Sequence, residues 1–112
     1  MTIDITTLKI LLMQKNIDYQ DEIITKLKEF SMRWVSTQAG RDYEDFPMPL
    51  DYIADEITMA RINLLQSEGL KAEHTDISRF DYRTDIYSQW IPIIDDWVDL
   101  QERRNRRKLK MI

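Results

Sequence analysis

The sequence predicts an all-α fold, a small bundle of three to four helices in one domain. Apolar residues recur at helical spacing in several segments. Only two glycines and three prolines occur in 112 residues, which leaves little of the turn chemistry that a many-stranded sheet needs. The composition, 43% apolar and 32% charged, is typical of a globular domain with one modest core. The predicted helices cover about residues 5–15, 21–39, 50–68 and 85–102.

The third predicted helix carries a long apolar stripe that follows a clear start signal. It opens after Pro47 and Pro49, carries Asp51 in its first turn, and is predicted to stop at Gly69. Its predicted outward face carries Asp55, Glu56 and Arg61, and its apolar face carries Ile53, Ile57, Ala60, Leu64 and Leu65.

The second helix shows an equally regular period and is predicted to stop at Gly40. Its apolar stripe contains Ile23, Ile24, Leu27, Phe30, Trp34, Val35 and Ala39. The side chains predicted to face away from the core are Lys26, Lys28, Glu29 and Arg33. Because the connection to the third helix is short, an antiparallel pair is expected.

After Gly69 the helical pattern is lost. Residues 76–82 alternate in a way that is compatible with a strand, so we expect an extended loop, short strand or hairpin near 70–83. A single strand is not stable alone, so this segment should pair with another segment or another chain. In the last helix Pro92 fits either a regular start near Trp90 or a kink after an initial turn from Asp85.

Charge divides the chain into a helical domain, residues 1–102, and a basic C-terminal tail, residues 103–112. All 20 acidic residues precede Arg103, whereas six of the 16 basic residues follow Glu102, so the domain has a net charge of −10 and the tail +6. The tail has two readings of about equal weight. It either contacts nucleic-acid phosphates or is a solvated end that balances an acidic domain.

No constellation of residues indicates an enzyme. There is no cysteine, the only histidine is His74, and neither glycine opens a phosphate-binding loop. The acidic cluster Asp42, Glu44 and Asp45 lacks the glycine and the terminal glutamate of an EF-hand loop. We therefore expect no catalytic residue, cofactor or metal. No apolar run reaches membrane-spanning length and no leader is apparent, so a cytoplasmic protein is the default expectation.

The segments 52–63 and 67–73 contain the distinctive residues Arg61, Asn63, Glu68 and Gly69, and Pro92 lies within Trp90-Ile91-Pro92-Ile93-Ile94. With the order of the helices over about residues 5–100, these segments resemble the small head–tail connector proteins of tailed bacteriophages, a family also classed as DNA-packaging proteins. The chain departs from the family in having no further glycine after Gly69 and in its longer basic extension.

The resemblance implies a non-enzymatic ring subunit, with about twelve copies forming a closed ring. Such a ring would lie in the virion neck between the portal and the stopper or head-completion protein, after synthesis in the bacterial cytoplasm. DNA would pass through it without sequence-specific binding.

We predict that the segments with little packing of their own contact neighbouring subunits, the portal or the stopper. These residues are Leu70, Lys71, Glu73, Ile77, Arg79, Phe80, Tyr82, Arg83, Arg103, Arg104, Arg106, Arg107, Lys108 and Lys110. The alternatives are a small nucleic-acid-binding regulator that uses the basic arm, and a generic helical adaptor or chaperone.

Overall fold

The computed structural model describes residues 2–71 and 86–110, with the backbone alone described for 67–71 and 107–110. It contains four long helices, namely α1 (Thr6–Gln14), α2 (Asp21–Gln38), α3 (Asp51–Lys71) and α4 (Ile91–Lys110). Two short 3₁₀ turns, Tyr43–Asp45 and Met48–Leu50, connect α2 to α3. The described residues include no strand, and the predicted all-α class is confirmed.

Two residues with left-handed backbone conformations end the first two helices. Asn16 has φ of 58° after α1, and the Ile17 N–H donates to the Leu12 carbonyl at 3.0 Å. Gly40 has φ of 70° after α2, and the Arg41 N–H donates to the Ser36 carbonyl at 2.9 Å. This reversal satisfies carbonyls that the helix end leaves free, so the predicted stop at Gly40 is confirmed.

Gly69 does not end its helix. The α3 backbone continues through Gly69 and Leu70 to Lys71, so the predicted stop is wrong. A glycine inside a helix costs about 1 kcal/mol relative to alanine, and the surrounding turns tolerate that cost here. The predicted extended segment near 70–83 therefore begins with two helical residues, and positions 72–83 lie outside the described residues.

The helices α2 and α3 form the antiparallel pair expected from their short connection. Toward one end Ile24 packs in a cluster with Met59 and Ile62, and toward the other Val35 packs with Leu50. α1 completes the first cluster with Leu8 and Leu12. α4 joins the second cluster, whose buried members are Met32, Val35, Ala39, Phe46, Leu50, Ile53, Ala54, Ile57 and Ile94.

The buried face of α2 differs from the predicted one. Ile23 and Phe30 are 46% and 53% exposed, whereas Lys28, predicted to face solvent, is only 1% exposed. Ser31 and Ser36 are buried as well. The buried positions still follow the 3.6-residue period. Three of them, Lys28, Ser31 and Ser36, are polar, so the apolar residues alone do not mark the buried face.

The face of α3 needs a similar correction. Leu65, predicted on the apolar face, is 44% exposed, and Thr58 is fully buried. The Thr58 and Ser31 hydroxyl oxygens lie 2.8 Å apart across the α2–α3 interface, with Thr58 as the donor. Small polar side chains at this crossing allow two helices to approach closely while each hydroxyl keeps a hydrogen-bond partner.

The last helix begins at Ile91, in agreement with the first of the two predictions for Pro92, a regular start near Trp90. Pro92 therefore lies in the first turn, where a missing backbone N–H costs no intrahelical hydrogen bond. A separate helical turn at 86–88 precedes it, and the Trp90 N–H donates to the Tyr87 carbonyl at 2.9 Å. The predicted end at residue 102 is wrong, since α4 continues without interruption to Lys110.

Candidate interaction surface

The first half of α4 is anchored on the bundle. Ile94 is fully buried, and Trp90, Trp97 and Val98 are partly buried against the cluster formed by α2 and α3. This stripe has the spacing of one helix face. Trp90 and Trp97 therefore pack on the α2–α3 pair, and they fix the direction in which the rest of α4 leaves the bundle.

Aromatic contacts add to this anchoring. The rings of Trp34 and Tyr87 lie 4.7 Å apart, and Tyr52 meets Trp90 edge to face at 6.2 Å. The Arg41 guanidinium lies 5.1 Å from the centre of the Trp97 ring. Such ring pairs contribute about 0.5–1.5 kcal/mol beyond the area they bury. Arg61 of α3 also donates a hydrogen bond to the Tyr87 hydroxyl.

The second half of α4 lacks comparable support as far as residue 106, the last whose side chain is described. We call residues 103–110 the basic arm. Every residue from 102 to 106 is exposed, including Arg103, Arg104 and Arg106. Within this described stretch Arg106 and Glu102 form an ion pair at 3.6 Å. Such exposed pairs contribute about 0–1 kcal/mol, so this pair does little to hold the arm.

The structure gives the positions of only some of the predicted interface residues. The six basic residues of the arm, Arg103, Arg104, Arg106, Arg107, Lys108 and Lys110, are all on α4, where the helix brings them together along one rod. Leu70 and Lys71 lie in the last turn of α3. The remaining predicted residues, Glu73, Ile77, Arg79, Phe80, Tyr82 and Arg83, lie outside the described residues.

The anchored half of α4 is acidic where the arm is basic. We call Asp95, Asp96 and Asp99 the acidic half of α4, and all three are exposed. Three more exposed carboxylates, on Asp42, Glu44 and Asp45, belong to the loop whose first residue, Arg41, contacts the Trp97 ring of α4. α4 therefore changes sign along its length, from acidic on the bundle to basic beyond it.

A second charged group lies inside the molecule, and we call it the Lys28 cluster. The Lys28 Nζ atom is 3.2 Å from Asp51 Oδ2 and 3.0 Å from Asp55 Oδ1, and it donates a hydrogen bond to the Asp4 carbonyl. The 3.0 Å ion pair lacks hydrogen-bond alignment at Asp55 Oδ1. Lys28 thus joins α2, α3 and the segment before α1.

Burial changes the proton affinity of this cluster. Desolvation raises the pKa of Asp55 above its ordinary value of 3.8, and the nearby Lys28 ammonium opposes that rise. The pKa of Asp4 is lowered instead, mainly because its carboxylate accepts hydrogen bonds from Thr6. The pKa values of Asp55 and Asp4 are therefore shifted in opposite directions from the same ordinary value.

The apolar pattern of α2 predicts that Lys28 faces solvent, so the Lys28 cluster could not be predicted from that pattern. The one available signal was position, since Lys28 is four residues from both Ile24 and Met32, which are buried. Buried lysines are rare enough that pattern reading alone assigns them to solvent.

Two further observations bear on the classes of site. Among residues 2–71 and 86–110, no group of three or more His, Asp or Glu residues is placed to hold a metal ion. No helix in that part of the chain is both long and apolar enough to cross a bilayer.

Comparison of the chain with protein-family models, with curated proteins and with solved structures finds no match. The likeness to phage connectors therefore stays a prediction from the sequence.

Proposed function

We propose that this protein is a structural subunit of a phage head–tail connector, which forms a ring in the virion neck between the portal and the stopper or head-completion protein. The proposal combines the sequence resemblance with one structural observation. α4 is anchored through its first half and carries its second half, the basic arm, away from any packing within the described residues. A subunit that must bind neighbours on several sides has a use for such an arm.

The physical argument is that an unsupported basic helix gains from a partner. Isolated helices shorter than about 12–15 residues are marginal in water, and most helical stability in proteins comes from packing. The arm also places six cations within eight residues, where like charges repel. An acidic surface on a neighbouring protein would relieve that repulsion and lock the helix in place.

The charge of the body fits a conduit for DNA. Residues 1–102 carry a net charge of −10, and a channel of that sign would not hold the phosphates of passing DNA. In this function the ring extends the channel below the portal and performs no chemistry.

The test is a phage whose copy of this gene lacks residues 103–112. The shortened protein is expected to keep its melting temperature and to lose only the helical circular dichroism of the arm itself, because the described side chains of the arm, 103–106, belong to no core cluster. Infectious particles should fall by at least tenfold, with filled heads lacking tails in electron micrographs. A companion variant, R103Q/R104Q/R106Q, keeps the arm's length and removes half of its charge. Normal titres from the shortened protein would refute the role of the arm.

A second candidate function, a nucleic-acid-binding regulator, is favoured by one observation. Arg103, Arg104 and Arg106 are all exposed on one helix, where they could reach phosphates. This function predicts binding of duplex DNA by the protein in low salt, with affinity falling steeply as salt rises. A gel shift that shows no binding at low salt would remove it.

A further inference from the structure

We propose that the free protein pairs with a second copy of itself through α4, the two helices lying antiparallel about a two-fold axis near Leu100. Each basic arm would then lie against the acidic half of α4 in the other copy. The contact concerns the protein before any assembly, so it does not depend on the proposed function.

The first argument is the order of charges along α4. Asp95, Asp96 and Asp99 precede Leu100, Arg103, Arg104 and Arg106 follow it, and Asp96 and Arg104 lie at equal distances of four residues from it. A parallel pair would place arginine beside arginine. An antiparallel pair centred on Leu100 places Asp96 opposite Arg104 of the second copy, and Trp97 opposite Arg103. Electrostatic complementarity of this kind selects partner and orientation.

The second argument is the apolar residues on the same side of the helix. Ile93 and Leu100 are 42% and 45% exposed, and seven residues separate them, which places them on one face. The partly buried Trp97 lies between them. Arg104 follows Leu100 by four residues and continues this face into the basic arm. A helix seam needs this arrangement, an apolar centre flanked by charges.

The third argument is that the chain itself leaves these charges largely unmatched. Among the described residues, Arg106 pairs with Glu102, and no ion pair involves Arg103, Arg104 or the acidic half of α4. A competing explanation involves one copy alone, because acidic residues near the N-terminus of a helix and basic residues near its C-terminus both interact favourably with the helix dipole. The two explanations make different predictions about the size of the protein in solution.

The paired form would be weak. One pair of helices covers less area than the roughly 1,200–2,000 Å² of stable interfaces, so association should require high protein concentration. Salt should dissociate it, since the Debye length falls from about 10 Å at 0.1 M to about 3 Å at 1 M. Pairing would also cover the arm until a better partner displaces the second copy.

Sedimentation velocity of the full chain at about 100 µM protein tests the pairing at low and at 1 M salt. We expect a dimer in low salt and a monomer in high salt. Two charge-reversed variants, D95K/D96K/D99K and R103E/R104E/R106E, should each associate at least tenfold more weakly, and their equimolar mixture should recover the dimer. Circular dichroism of each variant confirms that it is folded.

Cysteine cross-linking tests the axis, because the chain has no cysteine of its own. L100C should form a covalent dimer on oxidation or with a short bismaleimide, and the control E102C, on another face of the helix, should not. A monomer at low salt, failure of the mixture to associate, or equal cross-linking of both variants would overturn the pairing. Rings without a dimer would overturn it too, while leaving the connector proposal standing.

Discussion

The Lys28 cluster and the basic arm are both concentrations of charge, and they are arranged in opposite ways. Lys28 is 1% exposed and has two carboxylates and a carbonyl around its ammonium. Arg103, Arg104 and Arg106 are exposed, and of these three only Arg106 forms an ion pair, with Glu102. The buried charge is matched within the chain, whereas the described charge on the arm is largely unmatched.

The difference follows from the cost of taking charge out of water. A buried ammonium without a partner is destabilised by several kcal/mol, so its neighbours are fixed in position and thereby fix the α2–α3 register. An exposed guanidinium costs almost nothing when unpaired. The cluster should therefore govern stability and the arm should govern association, and the following variants test that division.

The largest effect is expected for K28M. Methionine keeps much of the side-chain volume but leaves Asp51 and Asp55 without their cation, and breaking a buried pair in this way costs about 3–5 kcal/mol. Urea unfolding of K28M against the parent gives the free energy directly. K26M is the matched control on the same helix, since Lys26 is exposed and should change stability by less than about 0.5 kcal/mol. Similar losses in both variants would contradict the role assigned to burial.

A smaller loss is expected for T58V. Valine keeps the shape of threonine and removes the hydroxyl, which donates to Ser31 at 2.8 Å and also lies 2.7 Å from the Ala54 carbonyl. The lost hydrogen bond should cost about 1 kcal/mol. T37V is the control, because the Thr37 hydroxyl is exposed and donates to the Arg33 carbonyl of its own helix at 2.9 Å. A neutral T58V would show that the hydroxyl pair adds nothing to the α2–α3 contact.

The dependence of stability on pH should report Asp55. Its pKa is raised in the folded state by burial, so the folded protein holds that proton more tightly than the unfolded chain does. This contribution is fully present below 3.8 and is lost as pH rises through the raised pKa. D55N should show a shallower fall of unfolding free energy in that window. The contribution of Asp4, whose pKa is lowered, is fully present above 3.8 and is lost as pH falls through the lowered pKa. An unchanged slope in D55N would contradict the assignment.

The smallest effect on stability is expected for R103Q/R104Q/R106Q. All three side chains are exposed, so the free energy of unfolding should change by less than about 0.5 kcal/mol. Self-association and phage assembly should fall sharply in the same variant. Thermal melting and sedimentation of one preparation measure both quantities. A large drop in melting temperature would mean that the arm stabilises the fold.

Much of the fold could be predicted from the chain. The number and order of the helices, the stop at Gly40 and the place of Pro92 follow from local chemistry that each segment carries. Two predicted helix ends are wrong, because local signals for a stop do not decide where a helix ends. Gly69 favours a stop but lies within α3, and the helix predicted to end at 102 continues to Lys110.

The candidate site divides in the same way. The basic arm was visible as six cations in eight residues, and its charge needed no structure to be found. The sequence leaves open whether the arm extends the last helix, because it has little apolar surface to hold one, and the structure shows that it does.

The sequence by itself determined an all-α class, the chain order of the helices and the division into an acidic body and a basic end. Those properties depend on periodicity, turn residues and net charge, which act within a few residues or sum over the chain. Only the tertiary structure decided which face of α2 is buried, that Lys28 lies between Asp51 and Asp55, and where α4 leaves the bundle. These depend on how helices distant in the chain meet, since a lysine is acceptable inside only where another helix brings its carboxylates to it.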